Sequence, residues 1–157
     1  MAVLVPLAVA LLLDQVSKSV MLGWLLTPAR VVEILPILNL RLGFNEGSAF
    51  GMLGGVMAGR PLAMAVLTGA VTAAVLVGAF RSRTVAGQVG LGLVTGGSLG
   101  NILDRLRQGA VTDFLDIHWQ GWHWPTFNLA DVAIILGVGV LLSGGLRGQR
   151  KGEAHVG

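Results

Sequence analysis

The sequence predicts an all-α polytopic membrane protein with four transmembrane helices. Apolar residues make up 54% of the 157-residue chain and charged residues only 12%, whereas an average soluble domain has about 25% charged residues. Mean hydropathy is +0.76. The apolar runs are long and continuous, which favours helices over a β-barrel, since barrel strands alternate in segments of about ten residues. At this length we expect one integral membrane domain covering residues 1–157.

Each predicted span is close to the ~20 residues that a membrane-crossing helix needs. The spans are predicted at about 4–26, 61–80, 85–104 and 127–146. The first contains Asp14 and Lys18, and the second is free of charge. An even number of spans places both termini on one side of the membrane. The opposite, extracytoplasmic side then holds the segments at about 27–60 and 105–126.

The distribution of basic residues predicts which side is the cytoplasm. The side of the termini holds Arg81, Arg83, Arg147, Arg150 and Lys151, and the other side holds Arg30, Arg41, Arg60, Arg105 and Arg107. The two sets are equal in number, but the first is denser and lies directly beside helix ends. Under the positive-inside rule this favours cytoplasmic termini.

Composition also limits the chemistry and the partners. The chain has no Cys, so disulfides, thiolate catalysis and Cys-based metal sites are excluded. The formal net charge is +3, but the arginines are scattered and form no basic face interleaved with aromatic residues. We therefore expect no nucleic-acid partner.

The segment 30–50 is too polar and irregular for a membrane helix. It begins with β-branched residues, alternates in places, and is broken by Pro36, Gly43 and Gly47, which predicts short strands joined by turns. We expect a small sheet on the membrane surface. The stretch NEGSAFG at 45–51 is compatible with a simple turn, because Asn and Gly tolerate positive φ.

Polar residues gather near the predicted outer ends of the spans, where ionisable groups are costly unless they are paired or functional. They are Asp14, Lys18, Asn101, Asp104, Arg105, Asp113, Asp116, Asn128 and Asp131. Asp131 lies about one turn inside span four, and Asp113 follows span three on the same side, so the two carboxylates can meet at one depth. Asn128 is three residues before Asp131 and shares its face, and Asn101 and Arg105 likewise share a face.

Two carboxylates at one site do not both ionise cheaply, so one stays protonated while the other is charged. The charged one can take a proton from water as it attacks a carbonyl, and the protonated one can polarise that carbonyl and protonate the leaving amine. Asp113 and Asp131 in these roles predict an intramembrane aspartic peptidase. The alternative is that Asp131 is only a helix-end carboxylate stabilised by the N-terminal dipole.

The remaining charged residues have simpler interpretations. Asp14 and Lys18 are four apart with the acid first, which favours an ion pair on a helix. We interpret this pair as structural, holding span one against the site. Asp104 and Asp116 are expected to be solvated or locally paired.

Other classes remain open at this stage. A proton-coupled transporter also uses membrane carboxylates, but it is expected to carry polar residues through the midplane, and spans two and three have almost none toward their inner ends. A Ser17–Lys18 peptidase is disfavoured because adjacent helix residues point in different directions. A non-enzymatic assembly helper has no feature of its own in the sequence. A metal site would draw on Asp113, Asp116, His118 and His123.

Five stretches, in order through nearly the whole chain, resemble lipoprotein signal peptidase, the type II signal peptidase of bacteria. They are LDQVSK (13–18), FNEGSAFG (44–51), GGSLGNILDRL (96–106), VTDFLD (111–116) and FNLADVAI (127–134). The sequence departs from the family pattern at Ser48, where the family usually has Ala.

The resemblance implies four transmembrane helices with cytoplasmic termini in the bacterial cytoplasmic (inner) membrane, a small extracytoplasmic β-cradle and a short extracytoplasmic helix. The implied activity is cleavage of the signal peptide of diacylglyceryl-modified prolipoproteins before the lipidated Cys, in contact with membrane lipid. Inhibition by globomycin-type cyclic peptides is also implied. No metal and no cofactor are expected.

The resemblance also assigns site residues. It implies that the catalytic aspartates are Asp113 and Asp131. The other site positions that it implies are Asp14, Lys18, Asn45, Gly47, Asn101, Arg105 and Asn128. Of these, Asn45, Gly47, Asn101, Arg105 and Asn128 are expected to bind substrate or support the site.

Overall fold

The computed structural model describes residues 2–46 and 60–153, with side chains described as far as residue 144. In this part of the chain there are four α-helices and four β-strands. The helices are α1 (Leu4–Leu25), α2 (Pro61–Arg81), α3 (Val85–Gln108) and α4 (Leu129–Glu153), and the strands are β1 (Val32–Leu35), β2 (Leu38–Asn45), β3 (Val111–Trp119) and β4 (Trp122–His123).

The helices lie where the four apolar spans are predicted. In the described part of the chain, α1 and α2 are long and apolar enough to cross a membrane, and α4 has a shorter apolar segment at Leu129–Gly144. Large apolar side chains of α1 such as Leu12 and Val16 point away from the protein and are exposed, as expected of a lipid-facing surface. The mostly helical character of the predicted fold is confirmed. Four membrane crossings stay a prediction.

Helix α3 is central and contacts the other three helices. Two adjacent glycines bring its neighbours close: a Cβ at Gly96 would collide with the carbonyl oxygen of Leu7 in α1, and a Cβ at Gly97 with that of Ala130 in α4. Because only Gly permits this approach, short polar side chains of α3 can reach both neighbouring helices.

Helix α3 ends at Gln108 and is capped by Gly109, which has φ 81° and donates its N–H to the carbonyl of Arg105 at 3.1 Å. This is the left-handed glycine cap that commonly terminates helices. It turns the chain directly into β3, so the strand that carries Asp113 starts at the outer end of the central helix.

The four strands form one antiparallel sheet in the order β1, β2, β3, β4. Strand β2 pairs with β3 so that Gly43 lies opposite Asp113 and Asn45 opposite Val111, with a register irregularity between Leu40 and Gly43. Strands β1 and β2 confirm the predicted strands in 30–50. The pairing places Asn45 and Asp113 near one end of the sheet.

Strands β3 and β4 lie in the segment 105–126, where no strand was predicted. They form a hairpin whose turn, Gln120–Gly121, has φ values of 48° and 83°, as two-residue hairpin turns require. The signal was present in the sequence: Val111–Trp119 is rich in β-branched and aromatic residues and is followed by a Gly-containing turn.

Gly47 and most of the NEGSAFG stretch lie outside the described residues. No short outer helix is found within 2–46 and 60–153, so the helix implied by the resemblance stays a prediction.

Candidate active site

Asp113 and Asp131 come from β3 and from the first turn of α4, and Asn128 bridges them. The Nδ2 atom of Asn128 donates to Oδ1 of Asp113 at 2.7 Å, and its backbone N–H donates to Oδ2 of Asp131 at 3.2 Å. Asn128 is fully buried and Asp113 is 3% exposed. The structure thus places the two predicted carboxylates on either side of one residue, Asn128, whose side chain binds one and whose backbone binds the other.

Asp131 also stabilises the start of α4. Oδ1 of Asn128 accepts the backbone N–H of Asp131 at 3.1 Å, and the return bond from the Asn128 N–H completes a reciprocal capping box. Asp131 therefore does cap the start of the helix, as the helix-end interpretation expects, but that interpretation explains only part of its hydrogen bonding. It accounts for Oδ2 alone, because Oδ1 accepts from Nδ2 of Asn101 at 2.9 Å.

A chain of amides leads from Asp131 back to Lys18. The Lys18 ammonium donates to Oδ1 of Asn101 at 2.9 Å, and the same oxygen accepts from Nδ2 of Asn128 at 3.1 Å. An ammonium group has only donors, so it must face the oxygen of Asn101. Lys18 thereby directs the NH2 group of Asn101 toward Asp131.

Lys18 is 2% exposed and lies between two buried carboxylates. Its Nζ is 2.8 Å from Oδ2 of Asp14 and 3.0 Å from Oδ2 of Asp104. The Gln15 amide adds bonds to Oδ2 of Asp14 at 3.2 Å and to Oδ1 of Asp104 at 3.1 Å. Pairing and hydrogen bonding of this kind offset the free-energy cost of burying charged side chains.

Both partners of Lys18 also hold the backbone next to the site. Oδ1 of Asp14 accepts the N–H of Ala130 at 3.0 Å, and Oδ2 of Asp104 accepts the N–H of Thr112 at 3.0 Å. Ala130 and Thr112 are the residues directly before the two candidate catalytic aspartates. The buried ion pairs therefore fix where α4 and β3 present those carboxylates.

The expectation for Asp104 needs correction. It is neither solvated nor locally paired: it is 6% exposed and its partner Lys18 lies on another helix. Asp104 is three residues after Asn101 on α3, a spacing that puts both on one face and that could have identified it. Asp116 is fully buried and paired within the sheet.

The pKa of Asp113 is raised to about 7. Burial is the main cause, because it disfavours the charged form, and the neighbouring charge of Asp131 adds to it. Hydrogen bonds from Asn128 and Asn45 and the charge of Lys18 oppose the shift. Asp113 is thereby poised to hold a proton near neutral pH.

The two aspartates open onto a cavity of about 680 Å³. Its lining combines a few polar and charged side chains with a majority of apolar and aromatic ones. The lining residues are Asn45, Asn101, Arg105, Val111, Asp113, Ile117, Trp122, Trp124, Pro125, Thr126, Phe127, Asp131, Ile134 and Ile135.

Arg105 is the cation of this lining. Its Nη1 donates to the carbonyl of Asn101 at 3.3 Å. Its Nε is buried and has no hydrogen-bond partner among the described residues. A buried donor without a partner is costly, which makes this guanidinium a candidate for binding a carbonyl oxygen that enters the cavity.

The structure bears on two rival sites. The Ser17 hydroxyl donates to the Asp14 carbonyl at 2.9 Å, whereas the Lys18 ammonium contacts Asp14, Asp104 and Asn101, so the two residues bond to different partners. Within 2–46 and 60–153, no three His, Asp or Glu side chains are grouped so as to hold a metal ion. The four residues of the metal alternative do not form such a group.

The chain is similar to known proteins over most of its length. The family described as signal peptidase (SPase) II matches residues 7–146. A lipoprotein signal peptidase of Coxiella burnetii (strain Dugway 5J108-111) is 40% identical over 136 residues, covering 84% of this chain and 82% of that protein. One of Rhodopseudomonas palustris is 39% identical over 151 residues, covering 93% and 92%.

Solved structures agree with the sequence comparison. One structure of a bacterial membrane enzyme superposes with a TM-score of 0.74 at 27% identity, covering 90% of this chain and 85% of the other. A second gives a TM-score of 0.72 at 27% identity, covering 88% of each chain.

Proposed function

The chain belongs to the signal peptidase II family and is a membrane protease, and from this premise we propose that it cleaves signal peptides from prolipoproteins as an aspartic endopeptidase. One observation carries the mechanism: Asp113 and Asp131 both line one cavity, and Asn128 bridges them through its side-chain amide and its backbone N–H. Acid–base hydrolysis of a peptide bond needs one protonated and one charged carboxyl group at such a place.

The two aspartates have different environments, which assigns their roles. The raised pKa of Asp113 favours its acid form. Asp131 accepts N–H bonds on both oxygens and lies at a helix N-terminus, and both features stabilise a carboxylate. Asp131 then takes the proton of the attacking water, while Asp113 donates a hydrogen bond to the scissile carbonyl and protonates the leaving amine.

Neighbouring polar groups complete the substrate site. Arg105 presents a guanidinium with a free Nε within the described residues, which suits a substrate carbonyl on either side of the scissile bond. Asn45 lies beside Asp113 and the cavity and contributes to the same surface. Asn101 and Asn128 are already engaged with the aspartates, so their role is to hold the carboxylates rather than the peptide.

The membrane arrangement is part of the proposal. The four helices cross the bacterial inner membrane as a single domain with both termini in the cytoplasm, and the sheet and the cavity lie on the extracytoplasmic side. The apolar part of the cavity lining, which includes Ile134 and Ile135 on α4, faces the acyl chains of a diacylglyceryl-modified precursor. Globomycin-type cyclic peptides inhibit by occupying the same cavity.

The function is tested with one precursor in two forms. Purified protein in detergent is incubated with a prolipoprotein before and after diacylglyceryl modification of its Cys. We expect cleavage directly before the Cys in the modified form and little or none in the unmodified form, because the lipid fixes the depth of the scissile bond and raises its local concentration. Equal cleavage of both forms, or cleavage at another bond, would contradict the proposal.

The pKa of Asp113 predicts how the rate depends on pH. If Asp113 acts as the acid, kcat/KM should fall as pH rises through about 7, by about tenfold per unit once most of it is ionised. The free energy of unfolding should also decrease as pH rises. The folded-state pKa is raised, so folding favours the protonated form, and this contribution is lost as pH rises from the unfolded-state value toward about 7.

Initial cleavage rates between pH 5.5 and 9 in one detergent, with thermal unfolding recorded at each pH, check this prediction. A rate that rises through this range while the protein stays folded would exclude Asp113 as the acid.

A further inference from the structure

A second buried carboxylate, Asp116, lies in the sheet outside the proposed chemistry. It is fully buried. Its Oδ1 is 2.8 Å from Nδ1 of His123, and its Oδ2 is 3.6 Å from Nε of Arg41 and 3.5 Å from Nδ2 of Asn39. The partners belong to β2 and β4, the two strands that pair with β3. Asp116 therefore links β2 and β4 across the strand that carries Asp113.

The charge of Asp116 fixes the direction of the bond to His123. Burial raises the pKa of Asp116, but the hydrogen bond from His123, the charge of Arg41 and the bond from Asn39 outweigh it, and the pKa lies below its usual value. Asp116 is therefore a carboxylate that accepts at neutral pH, and Nδ1 of His123 is the nitrogen that carries the proton.

His123 belongs to a strand of two residues, and the residues on either side of it line the cavity. Side chains alternate along a strand, so His123 points to Asp116 while Trp122 and Trp124 point to the opposite face. Both tryptophans contribute to the cavity wall with Ile117. Their rings pack edge to face at 5.7 Å and 66°.

Among the described residues few other contacts hold this short strand, and one of them is the stacking of the His123 ring on the His118 ring at a centroid distance of 5.2 Å. The backbone N–H of Trp124 donates to the carbonyl of Ile117 at 2.8 Å, and β4 pairs with β3 at two positions only. Trp122 and Trp124 are 60% and 49% exposed, so packing contributes modestly. A charge-assisted hydrogen bond to a buried carboxylate is a strong tether by comparison.

We infer that His123 and Asp116 are positioning residues that hold the Trp122–Trp124 pair in the cavity wall and thereby set how tightly substrate binds. The inference rests on the proposed function for its substrate and extends it to residues that do not touch the reacting atoms. Loss of the tether should weaken substrate binding and leave the chemical step unchanged, because Asp113 and Asp131 are held by α1, α3 and α4.

The experiment compares His123→Ala with His123→Asn in the full-length protein, using steady-state cleavage of lipidated precursor. The Asn amide can place Nδ2 near the position of the His Nδ1 and keep the donor. We expect His123→Ala to raise KM by about tenfold and to leave kcat within about twofold. The tenfold change corresponds to the free energy that a hydrogen bond to a charged group typically contributes. His123→Asn should restore most of the loss.

Tryptophan variants test whether the hydrogen bond between His123 and Asp116 affects substrate binding through the tryptophans that line the cavity. Trp124→Ala should raise KM in a similar way, and His123→Ala combined with Trp124→Ala should be no worse than either change alone, since coupled residues are not additive. Trp119→Ala is the matched control: this side chain is on the same hairpin, is 64% exposed and is not part of the cavity lining. It should leave KM unchanged.

A fall in kcat by the same factor as the rise in KM, a failure of His123→Asn to rescue, or additive effects in the double variant would overturn the inference. Acrylamide quenching of tryptophan emission gives a readout that needs no activity. His123→Ala should increase quenching and His123→Asn should not, and equal quenching in all three proteins would also overturn it. If the wild-type protein cleaves no precursor, the proposed function fails, and the quenching result still decides whether the tether holds the wall.

Discussion

Replacing either Asp113 or Asp131 with Asn should abolish cleavage of lipidated precursor, with rates reduced by at least about 10²-fold to 10⁴-fold, the usual contribution of a general acid or base. Asn has nearly the same shape as Asp but can neither take the proton of the attacking water nor give one to the leaving amine. The measurement is a single-turnover cleavage assay with purified variants in detergent, accompanied by thermal unfolding.

The two variants should differ in stability, which distinguishes their environments. At position 113 the raised pKa already favours the uncharged acid, and an Asn side chain still offers an oxygen to the amides of Asn128 and Asn45, so Asp113→Asn should unfold near the wild-type temperature. At position 131 both oxygens accept N–H bonds, and Asn has only one acceptor. Asp131→Asn should therefore lose about 1–3 kcal/mol.

Glu33→Gln serves as the control, because it removes one carboxylate charge from an exposed position of β1 and should leave cleavage unchanged. A variant at 113 or 131 that keeps more than about a tenth of the wild-type rate while folded would rule out the acid–base pair.

The sequence predicts contacts within one helix better than contacts between helices. Asn128 and Asp131 are three residues apart at the start of a predicted span, so their shared face follows from helical periodicity. The capping box between them uses that same spacing. By contrast, Asn101 reaches Asp131 from 30 positions away, and only the packing of α3 against α4 brings them together.

The role of Asp104 illustrates the limit most clearly. In the sequence it is one of many polar residues at a span end, where contact with solvent is the simplest expectation. Its burial depends on two features of the fold: the glycines that bring α1 against α3, and the turn at Gly109 that returns β3 toward the helix end. Neither the partner Lys18 nor the bond to the Thr112 N–H can be read from local spacing.

Strand β3, by contrast, has a signal in the local sequence but is missing from the prediction. The segment Val111–Trp119 carries a strand pattern, but because it holds two carboxylates between two predicted spans, the prediction makes it only a connection. Because side chains alternate along a strand, the strand assignment would have separated Asp113 from Asp116 on opposite faces. That separation explains why one faces the cavity and the other faces His123.

Lys18 offers a test that separates support of the fold from support of the chemistry. Lys18→Met leaves Asp14 and Asp104 buried without the cation between them, which should cost about 3–5 kcal/mol, the usual cost of breaking a buried ion pair. We expect a large drop in unfolding temperature in detergent. Arg81→Met, which removes a cation from an exposed position at the end of α2, is the control and should have little effect.

A double variant that restores the net charge then separates the effect of Lys18 on cleavage from its effect on stability. Lys18→Met combined with Asp104→Asn restores the net charge of the buried cluster, and the Asn oxygen can still accept the Thr112 N–H, so much of the stability should return. Cleavage should stay low, because without the ammonium the Asn101 oxygen keeps only the Asn128 amide as a donor, and the Asn101 amide can turn more readily and withdraw its own donor from Asp131. Recovery of both stability and cleavage would show that Lys18 only supports the fold. Recovery of stability alone would show that the charge acts on Asp131 through the orientation of one amide.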